Sequence, residues 1–445
     1  MPPSWDVIVC GAGMTGALVA DRLIDAGHSV LLLEAGARPA RGASVPEPDR
    51  RAWSHQATRL SYDCTRVRAV GGRAHVWGGW CSRLPPIAAR RAGLPFSVRD
   101  LAGRYAEIER TLGVVEGVLD ARYAAIAREL ELRIGPKRGA LRGAAPWTPL
   151  ALAAARRARA HQVALGVDGS ARHADVMRTL DLRTERVRSL RAKAFVLAAS
   201  PLETTRLLLS SALGSAHPAI GHGLVDHMVA SYVLLEPRPP SAPAARGPFP
   251  GAALVEGFVN IDEASQRPYP GGFTIELTGP LHLEALGVER MVPSDELERW
   301  SATAIHALGE LCAQPRRKVD LAPNARDVYG RRLPRVHFAW SRSERILARD
   351  LALACTRLAD TLAIPGSRLV RLNDPLQPGA GHEAGTCAAG RDSSFPCDPW
   401  GALRGTDNVW VADASVMRTA TDRHPTLTLL AHALRVSEAV TRYLD

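Results

Sequence analysis

The chain has 445 residues, of which 46% are hydrophobic and 23% charged, and its formal net charge is +11. This length predicts roughly two or three structural units with a core large enough to enclose a cofactor, and the composition excludes a largely disordered protein. The positive charge comes from arginines on helical-looking stretches without a recognisable nucleic-acid-binding module. We therefore expect a solvated face and no nucleic-acid partner, with attraction of anionic substrates or of an acidic redox partner as the alternative.

Seven cysteines occur without a CxxC pair and without histidines at zinc spacing, which predicts reduced thiols and no metal site. The chain enters an apolar strand after five residues, so we expect no cleaved signal peptide. No apolar run reaches the about 18 residues that a membrane-spanning helix needs. We therefore expect a soluble, cytoplasmic protein without a membrane span, and the sequence leaves its oligomeric state open.

The first predicted elements are a strand, a tight turn, a helix and a second strand. The apolar run Val7–Val9 is followed by the glycine-rich turn Gly11–Gly16, a helix that ends near Ala26, and the apolar run Val30–Leu33. Uninterrupted apolar strands are typical of a parallel sheet that is covered on both faces. The chain is therefore predicted to begin with such a sheet.

The glycines of this turn predict a dinucleotide-binding site. Gly11 permits the tight turn, Gly13 lets the backbone approach a pyrophosphate, and Gly16 lets the helix pack closely on the strand. Glu34 ends the second strand at the spacing of an acid that accepts hydrogen bonds from an adenosine ribose. The phosphates would lie at the positive end of the helix. Both FAD and NAD are compatible with this pattern.

Further helices and strands are predicted along the chain. An amphipathic helix begins after its cap, Ser97. A buried strand over 194–199 precedes a helix that begins at Pro201, and a last strand over 408–413 precedes a helix that begins near Pro425. Proline is well placed at a helix start because its missing N–H would have no helical partner there.

The middle of the chain predicts a separate antiparallel sheet. Its strand candidates are Val229–Leu235, Ala253–Ile261, Phe273–Leu277 and Val336–Trp340. The proline-rich segment Glu236–Gly251 predicts a loop. Helices are predicted near Pro293–Ala313 and Ser343–Ala363.

Several segments at both ends and in the middle of the chain share the signatures of one known family. They are Gly11–Gly16, Glu34–Gly36, Val70–Gly79, Pro95–Leu101, Phe195–Leu209, Ile220–His227, His382–Thr386, Val409–Ser415 and His424–Thr428. The last three are the most specific. Together the segments resemble the glucose-methanol-choline (GMC) oxidoreductases, whose members include glucose oxidase, choline oxidase, cholesterol oxidase and aryl-alcohol oxidase.

The resemblance implies an α/β fold with two parts. A doubly wound, Rossmann-like FAD-binding domain would be assembled from 1–112, 170–226 and 379–445. A second, mostly antiparallel-sheet domain would bind the substrate and would comprise 113–169 and 227–378 with connecting helices.

The resemblance also assigns site residues. His382 corresponds to the catalytic base, and His424 to a second active-site position that is histidine or asparagine among members. The FAD contacts would fall on Gly11, Ala12, Gly13, Met14, Thr15, Gly16, Glu34, Ala35, Gly71, Gly72, His75, Val76, Trp77, Gly78, Val176, Asp413, Ala414, Pro425 and Thr426. Some members attach FAD covalently to a histidine of the second glycine-rich segment. Here Val76 holds that place and His75 comes one residue early, so we expect non-covalent FAD.

The chemistry of alcohol oxidation supports a pair of histidines. Moving a hydride from a carbinol carbon to flavin N5 requires removal of the hydroxyl proton, and imidazole titrates near the operating pH. A second hydrogen-bonding side chain orients the hydroxyl. We therefore predict an FAD-dependent oxidase or dehydrogenase that acts on a CH–OH group of a sugar, an aminocyclitol or a secondary metabolite. Its electron acceptor would be oxygen, a quinone or a protein.

Other functions and roles stay open at this point. An FAD-containing lyase of the same fold would cleave its substrate without net redox. An NAD-dependent dehydrogenase would use only the N-terminal motif, and a flavin-binding protein would show no turnover. The family's proline after the first histidine is Glu383 here, for which we expect a surface position, with contact to a cationic or polyhydroxy substrate as the alternative. Histidines near the shared segments are each compatible with a structural role: His75, His222, His227 and His432.

Overall fold

A computed structural model describes most of the chain. The described ranges are 5–39, 66–119, 121–130, 132–142, 145–170, 172–237, 252–255, 267–378 and 380–445. Within these ranges, no helix is both long and apolar enough to cross a lipid bilayer.

The described residues form strands and helices that are numbered in chain order. The strands are β1 (Trp5–Cys10), β2 (Val30–Leu33), β3 (Val114–Glu116), β4 (Ile134–Pro136), β5 (Arg138–Arg142), β6 (Ala145–Pro146), β7 (Gln162–Gly169), β8 (Ala174–Asp181), β9 (Arg186–Leu197), β10 (His227–Glu236), β11 (Ala252–Val255), β12 (Phe273–Leu281), β13 (Ser301–Glu310), β14 (Lys318–Arg326), β15 (Arg332–His337), β16 (Arg368–Arg371) and β17 (Val409–Val411). The helices are α1 (Met14–Asp25), α2 (Pro86–Arg91), α3 (Val98–Leu112), α4 (Ala121–Glu129), α5 (Ala153–Arg156), α6 (Pro201–Leu209), α7 (Arg342–Leu362) and α8 (Thr426–Leu444).

The first sheet has a parallel and an antiparallel part that meet at β9. In the parallel part, β1 lies between β2 and β9, so that Val7 pairs with both Val30 and Ala194, and β17 pairs with β9. The N-terminal half of β9 pairs with β8, and β8 pairs with β7, both in antiparallel fashion. Val7 and Ala194 are fully buried, which explains the uninterrupted apolar runs.

Three helices cover the parallel part of this sheet. Leu18 of α1 and Leu430 of α8 belong to the same buried apolar core. Helix α3 joins them through a 2.8 Å hydrogen bond between the hydroxyl groups of Tyr105 and Thr428. As predicted, Ser97 caps α3 and accepts a hydrogen bond from the backbone N–H of Asp100.

The second sheet is antiparallel, with the strand order β16-β10-β13-β12-β11-β4. Helix α7 lies on it, because Leu347 and Leu351 share a buried core with Ile275 and Ile305 of the sheet. The predicted combination of a mostly parallel and a mostly antiparallel unit in an α/β fold is confirmed. The proposed division of the chain between the two units stays a prediction. The pairing of β7 with β8 places 162–169 in the first sheet, ahead of the predicted boundary at residue 170.

The helix predicted near Pro293–Ala313 is wrong. Ser294–Arg299 forms a short 3-10 helix, and Ser301–Glu310 is strand β13. This strand lies between β10 and β12, and nine of its ten residues are buried. Hydrogen bonding to strands on both sides and burial of both faces outweigh the helix propensity of its alanines and leucine.

Two strand predictions also need adjustment. Val336 lies in β15, which pairs with β14 in a separate hairpin instead of the large sheet. Strand β11 accounts for residues 253–255 of the predicted strand Ala253–Ile261, whose remainder lies outside the described residues. The predicted proline-rich loop lies outside them from residue 238 onward.

Candidate active site

A cavity of about 390 Å³ lies at the carboxyl ends of the parallel strands. Residues that follow β1, β2, β9 and β17 line it, together with the first turns of α1 and α8. Ligands of open α/β sheets bind at this edge, and helix N-termini attract anionic groups there. The cavity therefore has the position of a dinucleotide site.

The glycine-rich turn between β1 and α1 forms a cradle on this cavity. Gly11 has a φ of +106°, and a Cβ atom there would lie 2.3 Å from the carbonyl oxygen of Ala198. A Cβ atom added to Gly13, which precedes α1, would meet no atom within 4 Å. Because Gly13 lines the cavity, a side chain there would extend into space that a ligand can use. The turn therefore fits a group that approaches the backbone closely, such as the pyrophosphate of FAD.

Glu34 lies on the same cavity just beyond β2. Its carboxylate accepts hydrogen bonds from the backbone N–H groups of Ala12 and Gly36, at 3.1 and 2.9 Å. Burial raises the pKa of Glu34, and these hydrogen bonds oppose that effect. The carboxylate is thereby fixed where ribose hydroxyls could donate to it.

The structure brings most of the predicted FAD residues to this cavity. Those that line it are Gly11, Gly13, Met14, Thr15, Glu34, Ala35, Gly72, Val76, Trp77, Asp413, Ala414, Pro425 and Thr426. The predicted residues that do not line it are Ala12, Gly16, Gly71, His75, Gly78 and Val176. Val176 lies on β8, whereas the cavity is lined by Gln162 and Ala164 of β7. The ring of His75 is hydrogen-bonded through Nε2 to the carbonyl oxygen of Val70 at 2.8 Å.

His382 lies on a loop that also reaches the cavity. The next residue but one, Ala384, exchanges two backbone hydrogen bonds with Val225, so the loop is fixed beside the start of β10. The backbone N–H groups of His382 and His227 both donate to Oδ1 of Asp226, at 2.9 and 2.7 Å. The two imidazole rings consequently meet, and their Nδ1 atoms are 2.8 Å apart.

His424 lies in the segment before α8, beside His382 but outside the cavity lining. The centroids of the His382 and His424 rings are 5.3 Å apart. Nε2 of His424 lies 2.9 Å from Oε1 of Glu276, and Nζ of Lys137 lies 2.7 Å from Oε2 of the same carboxylate. Nζ of Lys137 also lies 3.2 Å from the centroid of the Trp80 ring. The second histidine is therefore held by a buried acid–base network.

Burial and charge set the ionisation of these groups. Burial, followed by the neighbouring imidazoles of His227 and His424, lowers the pKa of His382 well below its usual value, so its ring is neutral and can accept a proton. Burial disfavours ionised Glu276, but His424 and Lys137 more than offset this and lower its pKa. Burial also lowers the pKa of Lys137, which Glu276 opposes.

A family model described as GMC oxidoreductase matches residues 314–433, a range that includes both His382 and His424. This part of the chain thus matches the GMC oxidoreductases, and relatives of the chain are named oxidases and GMC-type oxidoreductases. The chain is a flavin-dependent oxidoreductase that acts on alcohols, as predicted.

Relatives match the chain over nearly its whole length. It is 26% identical to a 6'''-hydroxyparomomycin C oxidase of Streptomyces lividus, over 99% of this chain and 92% of the relative. It is 29% identical to an uncharacterized GMC-type oxidoreductase of Mycobacterium tuberculosis, over 97% of this chain and 75% of the relative. The structure of formate oxidase from Aspergillus oryzae RIB40 superposes with a TM-score of 0.70, at 13% identity and 98% coverage of both chains. This last similarity shows the shared fold.

One departure from the GMC pattern has a structural explanation. Glu383, expected at the surface, is only 1% exposed and lines the cavity, so that expectation is wrong. Nη2 of Arg73 lies 2.5 Å from its carboxylate, and Arg73 also donates to the carbonyl oxygen of Gly381. An ion pair with the second glycine-rich segment therefore replaces the family's proline at this position. Burial and the negative charge of Glu383 raise the pKa of the nearby Asp226 to about 7.

Sequence reasoning missed the groups that support the two histidines. His227 was identified only as a histidine near a shared segment, and Asp226, Lys137 and Glu276 were not selected at all. Glu276 left a usable signal, since it is an acid within the apolar strand candidate Phe273–Leu277. A charge in a buried strand needs a partner, which predicts a nearby cation.

Proposed function

We propose that this enzyme oxidises the CH–OH group of a sugar, an aminocyclitol or a related secondary metabolite to a carbonyl, with non-covalent FAD and with His382 as the base. One observation carries the proposal. His382 lines the same cavity as the glycine cradle at Gly13, and His424 lies beside it at a centroid distance of 5.3 Å. A dinucleotide bound at the glycine cradle and a substrate beside the two imidazole rings could therefore occupy the same site together.

The residues present fit FAD. Gly13 and the N-terminus of α1 would hold the pyrophosphate, Glu34 the ribose, and Ala414 with the start of α8 the flavin end. When bound, FAD supplies at N5 the acceptor for the hydride that leaves the carbinol carbon. The hydrogen bond of His75 to Val70 engages the one histidine near the family's attachment position, which supports non-covalent binding.

The two histidines would divide the remaining work. His382 accepts the hydroxyl proton as the C–H bond breaks, so the carbinol loses a proton to imidazole and a hydride to the cofactor, which leaves a carbonyl. His424 directs Nε2 toward Glu276 and so keeps Nδ1 for the substrate hydroxyl. Its hydrogen bond would orient the C–H bond for transfer.

The relatives support an alcohol with several hydroxyl groups. One of them is named for the oxidation of 6'''-hydroxyparomomycin C. Its name also supports oxygen as the electron acceptor, with a quinone or a protein as the alternative.

Anaerobic reduction of the flavin tests this proposal. Purified holoenzyme would be mixed without oxygen with hydroxyparomomycin, simple sugars, cyclitols and aliphatic alcohols, and the flavin absorbance followed. We expect bleaching by a polyhydroxy alcohol with formation of its carbonyl product. Product formation without bleaching would instead indicate a lyase, and neither change with any alcohol would indicate a flavin-binding protein without turnover.

The cofactor is tested separately by acid denaturation. We expect yellow protein that releases FAD into the supernatant. Recovery of NAD alone, or flavin that stays with the precipitated chain, would contradict the proposed non-covalent FAD.

A further inference from the structure

His227 lies between a backbone carbonyl group and the ring of His382. Its Nε2 is 3.1 Å from the carbonyl oxygen of Thr421, and its Nδ1 is 2.8 Å from Nδ1 of His382. The two rings are nearly perpendicular, at 84°. The carbonyl group of Thr421, the ring of His227 and Nδ1 of His382 therefore form a chain of hydrogen bonds, which leaves Nε2 of His382 outside it.

The protons in this chain can be assigned from the chemistry of its ends. A carbonyl oxygen only accepts hydrogen bonds, so Nε2 of His227 carries a proton that it donates to Thr421. Burial, followed by the charge of His424, lowers the pKa of His227 to about 3, so the ring is neutral near physiological pH and has only that one proton. Nδ1 of His227 is then an acceptor, and Nδ1 of His382 must be the donor.

We infer that His227 is a positioning residue, which selects the His382 tautomer with a proton on Nδ1 and a free lone pair on Nε2. The inference rests on the proposed function, in which this lone pair takes the hydroxyl proton of the substrate. A base with the opposite tautomer would present an N–H to the hydroxyl and could not accept its proton. Because His227 selects this tautomer, the neutral His382 ring has a free lone pair on Nε2 whenever a substrate binds.

The backbone holds this arrangement in place. Asp226 accepts from the backbone N–H groups of both histidines, and Ala384 exchanges two hydrogen bonds with Val225. Both rings are thus fixed relative to the same two-residue segment. Because the backbone already holds both residues in place, the hydrogen bond between their rings costs little additional side-chain conformational entropy.

Several ionisable groups surround His382, but within the described residues only His227 forms a hydrogen bond with its ring. The groups that face it are His227, His424, Arg73, Glu276, Asp226 and Glu383. Arg73 is paired with Glu383, and Glu276 with Lys137 and His424. These groups act on the stability of the imidazolium form, whereas the hydrogen bond that His382 donates to His227 selects between the neutral tautomers.

Nitrogen NMR of the holoenzyme labelled with ¹⁵N-histidine reads the tautomer directly, because protonated and unprotonated ring nitrogens have well-separated shifts. His382→Ala and His227→Leu spectra assign the two rings. We expect the proton of His382 on Nδ1 in the wild-type enzyme. In His227→Leu, which removes the acceptor, we expect the proton to shift toward Nε2. In His227→Asn, whose amide oxygen can replace Nδ1 as an acceptor, we expect it to stay on Nδ1.

Flavin reduction should follow the same order. His227→Leu is expected to slow anaerobic flavin reduction at least about tenfold. The loss should not exceed the about 10²–10⁴-fold that a general base contributes in total. His227→Asn should recover most of this loss, which a merely structural defect of the buried site would not allow. His282→Leu is the matched control, because His282 is exposed and its side chain makes no capping hydrogen bond.

A wild-type spectrum with the His382 proton on Nε2 would overturn the inference without the use of any variant. Unchanged protonation in His227→Leu would overturn it too, because His227 would then not select the tautomer. The proposed function fails in a different way. If His382→Ala reduced its flavin at the wild-type rate while the spectra followed the expected order, the hydrogen bond would be established and the role of His382 as base would be lost.

Discussion

The imidazole rings of His382 and His424 lie almost perpendicular, at 89°, with their centroids 5.3 Å apart. Their outer partners differ in kind. His424 contacts the ionised carboxylate of Glu276, whereas His382 contacts the neutral ring of His227. A carboxylate only accepts, so it fixes a proton-bearing nitrogen of His424 and anchors that ring. The pair is therefore suited to unequal roles, with His382 as the base and His424 as the group that orients the hydroxyl.

The first prediction concerns the base. His382→Ala should slow the flavin-reduction step by about two to four orders of magnitude, because general-base catalysis is lost. FAD should stay bound, since the glycine cradle and Glu34 are untouched. Rapid mixing with an alcohol substrate under anaerobic conditions measures this step at each pH. His282→Ala should reduce its flavin like the wild type, because His282 is exposed. If His382→Ala were as fast as the wild type with the same pH dependence, His424 would become the leading candidate for the base.

The second prediction concerns His424. His424→Asn should be milder than His424→Ala, because an amide can still hold the substrate hydroxyl by a hydrogen bond, although it cannot accept a proton. Loss of the whole side chain should impair flavin reduction further. The two variants would be compared by the same rapid-mixing measurement. Equal rates in the two would contradict a hydrogen-bonding role for this side chain.

The third prediction concerns Glu276, which contacts His424 at 2.9 Å and Lys137 at 2.7 Å. Glu276→Gln weakens the anchor of His424 and should slow flavin reduction. If Glu276 acts through His424, the same substitution should have little further effect when His424 is already alanine. A double-mutant cycle of flavin-reduction rates measures this coupling. Additive effects of the two substitutions would show that Glu276 acts by another route.

The sequence predicts the parts of the site that are contiguous in the chain. The turn Gly11–Gly16 with Glu34 encodes its own geometry, because the tight turn, the helix start and the acid follow from local spacing. His382 and His424 were found because each lies within a contiguous family signature. Both motifs indeed lie beside one another in the fold.

The supporting groups could not be predicted because they meet only through tertiary packing. His227 and His382 are 155 residues apart in the sequence, and Lys137 and Glu276 are 139 apart. No local sequence pattern predicts that the two members of either pair lie close together in space. The same limit explains β13, whose alanine-rich sequence favours a helix locally but whose place between two strands decides its structure.

The fourth prediction concerns the cradle. Gly13→Leu should abolish FAD binding, because its side chain would enter the cavity space beside the N-terminus of α1. Gly103→Leu is the matched control, since a Cβ atom there also meets no atom within 4 Å, and Gly103 is exposed on α3. FAD content after purification, measured by absorbance against protein, separates the two. Full occupancy in Gly13→Leu would contradict the assignment of this turn to the pyrophosphate.

The fifth prediction arises from Asp226, whose buried carboxylate accepts the backbone N–H groups of both His227 and His382. Burial, together with the negative charge of Glu383, raises its pKa to about 7. A carboxyl group with a raised pKa binds more protons in the folded than in the unfolded protein. Its contribution to the free energy of unfolding is therefore fully present below about pH 4 and is lost as the pH rises through about 7.

Asp226→Asn should remove this part of the pH dependence. The amide oxygen can still accept from both backbone N–H groups, and the amide stays uncharged at every pH. We expect the melting temperature of the holoenzyme to decrease less between about pH 5 and 8 in the variant than in the wild type, and to exceed the wild-type value at the upper end. Flavin-fluorescence melting curves across this range measure both effects. Asp295→Asn removes one acidic charge at an exposed position and should follow the wild-type curve. If the Asp226→Asn curve ran parallel to that of the wild type, Asp226 would not titrate in this range.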